Sequence, residues 1–187
     1  MGFASFDGAL HWDGGEPTLI LLVPRDGSGA PRFIETDAFF QFHFANGFEE
    51  DGALVLDLGA LSRLPHDRPG AARLLDVGMA GRGHGDLTRL RDRPRRPARS
   101  TAGPCDSGSA NEFPRINPAY VGQAPPLCLH RLQPRRPRAQ GLQQQVARVD
   151  LESGAVTRHD FGPDGYPGEP LFIATRPGGA EDDRRDR

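Results

Sequence analysis

The sequence contains no lysine, so arginine supplies all 23 basic side chains, and 25 acidic residues oppose them. The resulting net charge of −2 gives no electrostatic reason to expect nucleic acid or an anionic membrane as a partner. Cysteine is also scarce. Cys105 and Cys128 stand alone in the chain, at a spacing that matches neither a metal-ligand motif nor a disulfide framework.

Long hydrophobic runs are absent as well. The longest spans residues 19–23, far fewer than the roughly 20 residues that cross a bilayer. The start of the chain has no basic region followed by an apolar stretch, so we expect no signal peptide. The composition therefore predicts a cytoplasmic protein without a transmembrane segment, and it leaves peripheral contact with a membrane open.

The first third of the chain has the pattern of an antiparallel β-meander. Residues 1–60 combine short apolar runs with turn-forming clusters, and we expect strands at residues 18–24, 32–36, 38–45 and 53–58. Residues 50–52 read Glu-Asp-Gly, which predicts a hairpin turn because Asp-Gly tolerates the positive φ angles that such turns require.

The last third repeats this pattern. Residues 146–151 and 155–161 predict two strands around a turn at residues 152–154, and residues 171–175 predict another short strand. Hairpins of this kind are typical of propeller blades that are small meanders. The middle differs, because residues 81–104 and 124–145 are rich in arginine and proline and predict solvated loops or linkers. A nucleic-acid patch there is poorly supported, since aromatic residues are not interleaved with the arginines.

One histidine stands in an unusually aromatic setting. His43 lies within residues 39–48, among Phe39, Phe40, Phe42, Phe44 and Phe48. A buried imidazole without a partner costs roughly 1–3 kcal/mol. Two interpretations are open at this point: a main-chain group satisfies the ring, or the ring binds a metal.

Three segments of the sequence resemble motifs of the carotenoid cleavage oxygenases. Residues 42–52 read F-H-F-A-N-G-F-E-E-D-G, similar to F-H-x-x-N-A-[YFW]-E-[ED], with Gly47 at the usual alanine. Residues 112–118 read E-F-P-R-I-N-P, similar to E-[FL]-P-R-I-N-P. Residues 159–162, 168–173 and 181–183 are similar to H-x-[FW]-G, G-E-P-x-F-V and E-D-D-G. The three segments occur in the order that this family has.

This resemblance implies an all-β fold, a seven-bladed β-propeller with one non-haem Fe(II) on its axis. Four histidines hold the iron, and O2 is used to split a C=C bond of a carotenoid, apocarotenoid or stilbenoid into two carbonyl products. By its motif, His43 is expected to be one of the four ligands. Glu169, in G-E-P, is expected to accept a hydrogen bond from that histidine.

The other candidate residues have simpler interpretations. Glu49 and Glu50 are adjacent on a predicted strand and face opposite ways, so we expect a solvated turn, not an acid pair. Arg115 and Asn117 stand between two prolines and are expected to brace a loop. His159 alternates with charged residues and is expected at the surface. We do not expect iron to bind the histidines that lie outside the family motifs, namely His11, His66, His84 and His130.

The resemblance also predicts that the chain is an internal part of a longer protein. We expect residues 1–187 to form an incomplete propeller domain, family-like at 1–60, 112–122 and 146–183 and irregular at 81–111 and 124–145. Only one of four expected histidine ligands is identified, so we expect no turnover by this chain alone. The arginine- and proline-rich stretches are also what a frameshift in the gene would produce. The alternative is a non-catalytic β-meander remnant or interaction module.

Overall fold

The computed structural model describes residues 11–61, 85–92, 99–105, 111–132 and 144–176. Within these ranges the chain is built from antiparallel strands, and no α-helix occurs among them. The strands are β1 (Thr18–Leu22), β2 (Arg32–Thr36), β3 (Phe44–Glu50), β4 (Ala53–Leu61), β5 (Gly85–Asp92), β6 (Arg99–Cys105), β7 (Asn111–Arg115), β8 (Leu127–Leu132), β9 (Gln145–Asp150) and β10 (Val156–Asp160). One 3₁₀ turn, Pro118–Tyr120, follows β7.

The strands form three sheets in which neighbours in sequence are neighbours in space. β1 and β2 pair alone, β3 to β6 form one four-stranded sheet, and β7 to β10 form another. Each four-stranded sheet is a simple meander, the unit from which propeller blades are made. The structure thus confirms the predicted all-β class and has the form of a partial propeller.

The hairpin between β3 and β4 forms where Asp-Gly predicted it. Asp51 and Gly52 have φ angles of 50° and 70°, and Glu50 pairs with Ala53 across the turn. Two consecutive positive φ angles match the right-handed twist of the flanking strands. The predicted hairpin between β9 and β10 is also present, and the Asp150 carboxylate accepts hydrogen bonds from the main-chain N–H groups of Glu152 and Ser153.

Two strand predictions are wrong. A strand was expected over residues 38–45, but β3 begins at Phe44, and Phe40 makes only an isolated bridge to Leu61. A bulge at the start of β3, between Phe44 and Asn46, interrupts the regular pairing with β4. Residues 171–175 form no strand, because no described strand lies beside them to pair with their backbone. Leu171 and Ile173 are 75% and 82% exposed there.

The arginine-rich stretches are not wholly irregular. β5 and β6 run through residues expected to be loops, and β8 lies within the second such stretch. β5 is recruited because Leu87 and Leu90 are buried. Its arginines are paired with acidic residues of β4 and the β3–β4 hairpin, including Asp57 and Glu50. The arginine-rich composition predicted loops here, but β5 forms a strand because its arginines find acidic partners on neighbouring strands.

The core lies between the two four-stranded sheets. β7 contacts β3, β4 and β5, which brings the first family-like segment against the second. A buried cluster of Leu87, Ile116, Cys128 and Val149 joins the sheets. Burying each large aliphatic side chain contributes about 1.5–3 kcal/mol, so this cluster holds in place the strands that carry the candidate site.

A partly buried ion pair lies between the two central strands of the first sheet. Asp57 and Arg89 are directly opposite on β4 and β5. Arg89 donates from Nε and Nη2 to the two carboxylate oxygens, at 2.7 and 2.8 Å. The hydrogen bond with Asp57 raises the pKa of Arg89. The guanidinium carbon also lies 5.6 Å from the centre of the Phe48 ring.

Among the described residues, no helix has the length and apolar character that crossing a lipid bilayer requires.

Candidate functional site

The site centres on the imidazole of His43. His43 lies just before β3, and its carbonyl accepts a hydrogen bond from Gly59 N–H of β4. Its Nδ1 is 3.0 Å from Oε2 of Glu112 on β7, so the contact bridges the two four-stranded sheets. An ionised carboxylate only accepts, so in a neutral imidazole that makes this contact the proton lies on Nδ1 and the Nε2 lone pair is available. Metal-binding histidines have this arrangement.

Aromatic rings surround this imidazole. The Phe113 ring lies 4.6 Å from the His43 ring between centroids, and the Phe42 ring lies at 6.3 Å. Phe42 in turn makes an edge contact with Phe40 at 4.8 Å. The His43 side chain keeps 38% of its surface exposed. The imidazole is therefore held by a carboxylate at one nitrogen and apolar rings at its sides, and it stays accessible.

The partner that the structure gives His43 differs from the one expected. Glu112 occupies Nδ1 of His43, while the Glu169 carboxylate lies 2.6 Å from Nη2 of Arg115. A contribution of Glu169 to a metal centre stays a prediction. The contact of Glu112 with His43 was not predicted from the sequence. Glu112 is the single acidic residue of the E-F-P-R-I-N-P segment, the one signal that could have pointed to it.

Asn46 ties the first family-like segment to the loop after the second. Its Nδ2 donates to the carbonyls of Tyr120 and Gln123 at 3.1 and 2.8 Å, and its Oδ1 accepts from Gly122 N–H at 3.2 Å. Asn46 is 7% exposed. Asn117 stabilises the same loop by capping the 3₁₀ turn, as the bracing interpretation predicted. Asn46 therefore has a structural role, since it satisfies three main-chain groups of that loop.

Replacing Asn46 with alanine should lower the free energy of unfolding by about 1–2 kcal/mol, because three hydrogen bonds to main-chain groups are lost. Urea unfolding measures the change. Glu49→Ala on the same strand is the matched control, since Glu49 is exposed and surface changes are usually within about 0.5 kcal/mol. Equal effects of the two substitutions would contradict a structural role for Asn46.

The remaining histidines lie apart from this site. His159 is exposed on β10, as expected, and stacks edge-on against Phe161 at 4.6 Å. His11 is exposed, and His66 and His84 lie outside the described residues. Within the described ranges, no three or more His, Cys, Asp or Glu side chains are grouped so that they could hold a metal ion.

His130 is buried in the sheet. It lies on β8 with no exposed surface, and neither ring nitrogen has a hydrogen-bond partner among the described residues. Burial, and secondarily the positive charge of Arg158, lowers the pKa of His130 to about 4. The imidazole is therefore neutral at pH 7, a core position and not part of the site around His43.

Comparison with known proteins agrees with these features. The family model described as retinal pigment epithelial membrane protein matches residues 2–184. The apocarotenoid-15,15'-oxygenase of Synechocystis sp. is 36% identical over 170 residues, which cover 90% of this chain and 33% of that protein. The carotenoid isomerooxygenase of Drosophila melanogaster is 34% identical over 58 residues, 31% of this chain and 9% of that protein.

Solved structures show the same likeness. Cobalt-substituted Synechocystis ACO superimposes with a TM-score of 0.76 at 33% identity, and an ACO/RPE65 chimera with 0.75 at 30% identity. In both cases the match covers 92% of this chain and 35% of the other. The chain thus spans about a third of the length of these relatives. With its motifs, its antiparallel blades and these matches, the chain belongs to the carotenoid cleavage oxygenase family, which uses iron.

Proposed function

We propose that this chain supplies His43 as one ligand of a non-haem Fe(II) centre in a dioxygenase that cleaves a C=C bond of a carotenoid, apocarotenoid or stilbenoid to two carbonyl products. The observation that carries the proposal is the hydrogen bond between His43 Nδ1 and Glu112. This bond fixes the orientation of the ring, leaves Nε2 for the metal and makes the imidazole a better electron-pair donor. Neutral imidazole is a suitable ligand for Fe(II).

The residues fit one part of an iron site. A single imidazole with its orienting carboxylate is fewer ligands than an iron centre needs, so further histidines must come from outside the described ranges. When bound at such a centre, ferrous iron would supply the redox chemistry for the reaction with O2. Glu112 holds the proton on Nδ1 of His43, and the rings of Phe42 and Phe113 give the imidazole apolar neighbours.

The apolar surroundings favour a polyene or stilbenoid as substrate. Phe42 and Phe44 flank His43 in sequence and are 45% and 53% exposed. Exposed rings beside a metal ligand give an apolar surface on which an extended apolar molecule can lie, with few polar groups for it to desolvate. We propose a cytoplasmic location with peripheral access to a membrane, from which such a substrate can be taken.

A chimera tests this proposal. Residues 11–176 replace the matching third of the Synechocystis oxygenase, and O2-dependent cleavage of an apocarotenal is assayed by the carbonyl products. We expect cleavage by the chimera and none by the isolated 187-residue chain. Turnover by the isolated chain would contradict the incomplete-site interpretation. A well-folded chimera that binds iron and never cleaves the substrate would contradict the proposed activity.

Replacing Glu112 with glutamine in the chimera should weaken iron binding about 10- to 100-fold, because an amide accepts the Nδ1 proton of His43 less strongly than a carboxylate. The affinity is measured by competition with a chelator of known iron affinity. Glu49→Gln is the matched control on the neighbouring strand. An unchanged affinity in the Glu112 variant would show that this carboxylate does not support the ligand.

A non-catalytic interaction module is the alternative. It is favoured by the exposed apolar face of the β1–β2 hairpin, where Leu19, Leu21 and Phe33 are 57%, 51% and 64% exposed. Iron binding by the chimera discriminates the two functions, because an interaction module has no need to preserve a metal ligand.

A further inference from the structure

We propose that Phe113 is a positioning residue of this centre, because its left-handed backbone turns two consecutive side chains onto the same imidazole. The inference rests on the proposed role of His43 and deepens it. It assigns a function to the E-F pair of the second family-like segment that goes beyond packing, and it explains how one strand can hold a ligand from two directions.

The observation concerns the direction of adjacent side chains. In a regular strand, consecutive side chains point to opposite faces of the sheet. On β7 they converge: Oε2 of Glu112 is 3.0 Å from Nδ1 of His43, and the ring of Phe113 is centred 4.6 Å from the His43 ring at an interplanar angle of 41°. A regular β7 could offer His43 only one of these two contacts.

The cause lies in the backbone of Phe113. Its φ angle is +53°, one of two positive values among the described non-glycine residues. The register of β7 against β8 shifts between Glu112 and Arg115, which marks a bulge at this point. A bulky residue rarely adopts this conformation, since its Cβ crowds the following carbonyl. Such a conformation persists only where surrounding contacts enforce it, and these cluster at functional sites.

The same bulge sets the next polar contact. Beyond Phe113, Pro114 is buried and Arg115 is exposed, and Nη2 of Arg115 reaches the Glu169 carboxylate at 2.6 Å. One irregular step in β7 therefore places a carboxylate and a ring on His43 and directs an arginine to the third family-like segment. The backbone of Phe113 is strained, and this strained conformation is what allows β7 to orient the imidazole of His43.

The test separates the backbone from the ring with two variants that differ by one methyl group. Phe113→Gly removes the ring and keeps the left-handed conformation accessible, whereas Phe113→Ala removes the ring and disfavours that conformation. The readout is the tautomer of His43 in the full, metal-free chain with labelled histidines, measured by ¹⁵N chemical shifts at a pH of about 8.5. His43→Gln identifies the His43 signals among the six histidines.

We expect the Nδ1-protonated form of His43 to exceed the Nε2-protonated form by about tenfold in the parent and in Phe113→Gly, because the bond to the Glu112 carboxylate is charge-assisted. In Phe113→Ala this ratio should fall at least fivefold as the bulge relaxes and Glu112 moves away. Equal ratios in the glycine and alanine variants would overturn the proposal, since the ring or neither feature would then hold the imidazole.

A further variant covers the case in which Phe113→Ala does not fold. Asparagine tolerates the left-handed region, so Phe113→Asn must keep the Nδ1-protonated form as Phe113→Gly does, and loss of that form in both would overturn the proposal. The measurement needs no metal. Failure of the chimera to bind iron would refute the proposed function and leave this result standing, and the reverse also holds.

Discussion

Replacing Asp57 with alanine should lower the free energy of unfolding by about 3 kcal/mol. The Asp57 side chain is 5% exposed, and it pairs through both oxygens with an Arg89 side chain that is 27% exposed. Truncating the acid leaves a guanidinium that is largely removed from water and has lost its carboxylate partner. The loss of stability reflects mainly the cost of leaving this guanidinium without its carboxylate. It does not measure the net contribution of the ion pair to stability.

Urea unfolding of three variants resolves the effect. Asp92→Ala is the matched control, because Asp92 is also a buried carboxylate but binds a single nitrogen of Arg32, whose side chain is 49% exposed. We expect its effect to be under half that of Asp57→Ala. The double substitution Asp57→Leu with Arg89→Met should recover most of the loss, since both charges are removed. Similar losses in the two alanine variants would contradict this description of the pair.

Lowering the pH from 6.5 to 4 should cost the folded chain about 3 kcal/mol through His130 alone. The pKa of His130 is about 4 in the folded chain, and that of an unfolded histidine is near its model value of 6.5. Between these values the unfolded chain binds more protons, so the free energy of unfolding falls as the pH decreases. Below about pH 4 both states are protonated and this contribution is fully lost.

Comparison with His130→Leu isolates the effect of this one residue. Leucine has no titrating group and leaves no buried nitrogen without a partner, so the variant should be more stable at pH 7 by about 1–2 kcal/mol. The difference in unfolding free energy between variant and parent should widen as the pH falls from 6.5 to 4. Parallel pH dependences of the two proteins would show that His130 is not buried as a neutral imidazole.

Local signals in the sequence predicted the elements that depend on local chemistry. The strand at residues 32–36 and the hairpin at Asp51 and Gly52 match the structure, since alternation and turn residues act over a few positions. The strand expected at 171–175 fails for a physical reason. Its residues suit a strand, but strand formation also needs a neighbouring strand, and none of the described strands lies beside it.

The site was predictable in part. The motif around His43 identified the imidazole, but its partner Glu112 lies 69 residues away and reaches it only because β7 packs against the first sheet. No local spacing predicts a contact of that separation. The left-handed Phe113 was also hidden, because phenylalanine carries no sequence signal for a positive φ angle, as glycine or asparagine would.

The most direct test of the central claim, that His43 is an iron ligand, is the iron content of the chimera with His43 replaced by glutamine. His159→Gln is the control, because His159 is an exposed histidine on β10. We predict about one iron per chimera in the parent and in the His159 variant, and little or none after His43→Gln, where a ligand is lost. Full iron content in a folded His43→Gln chimera would contradict the claim.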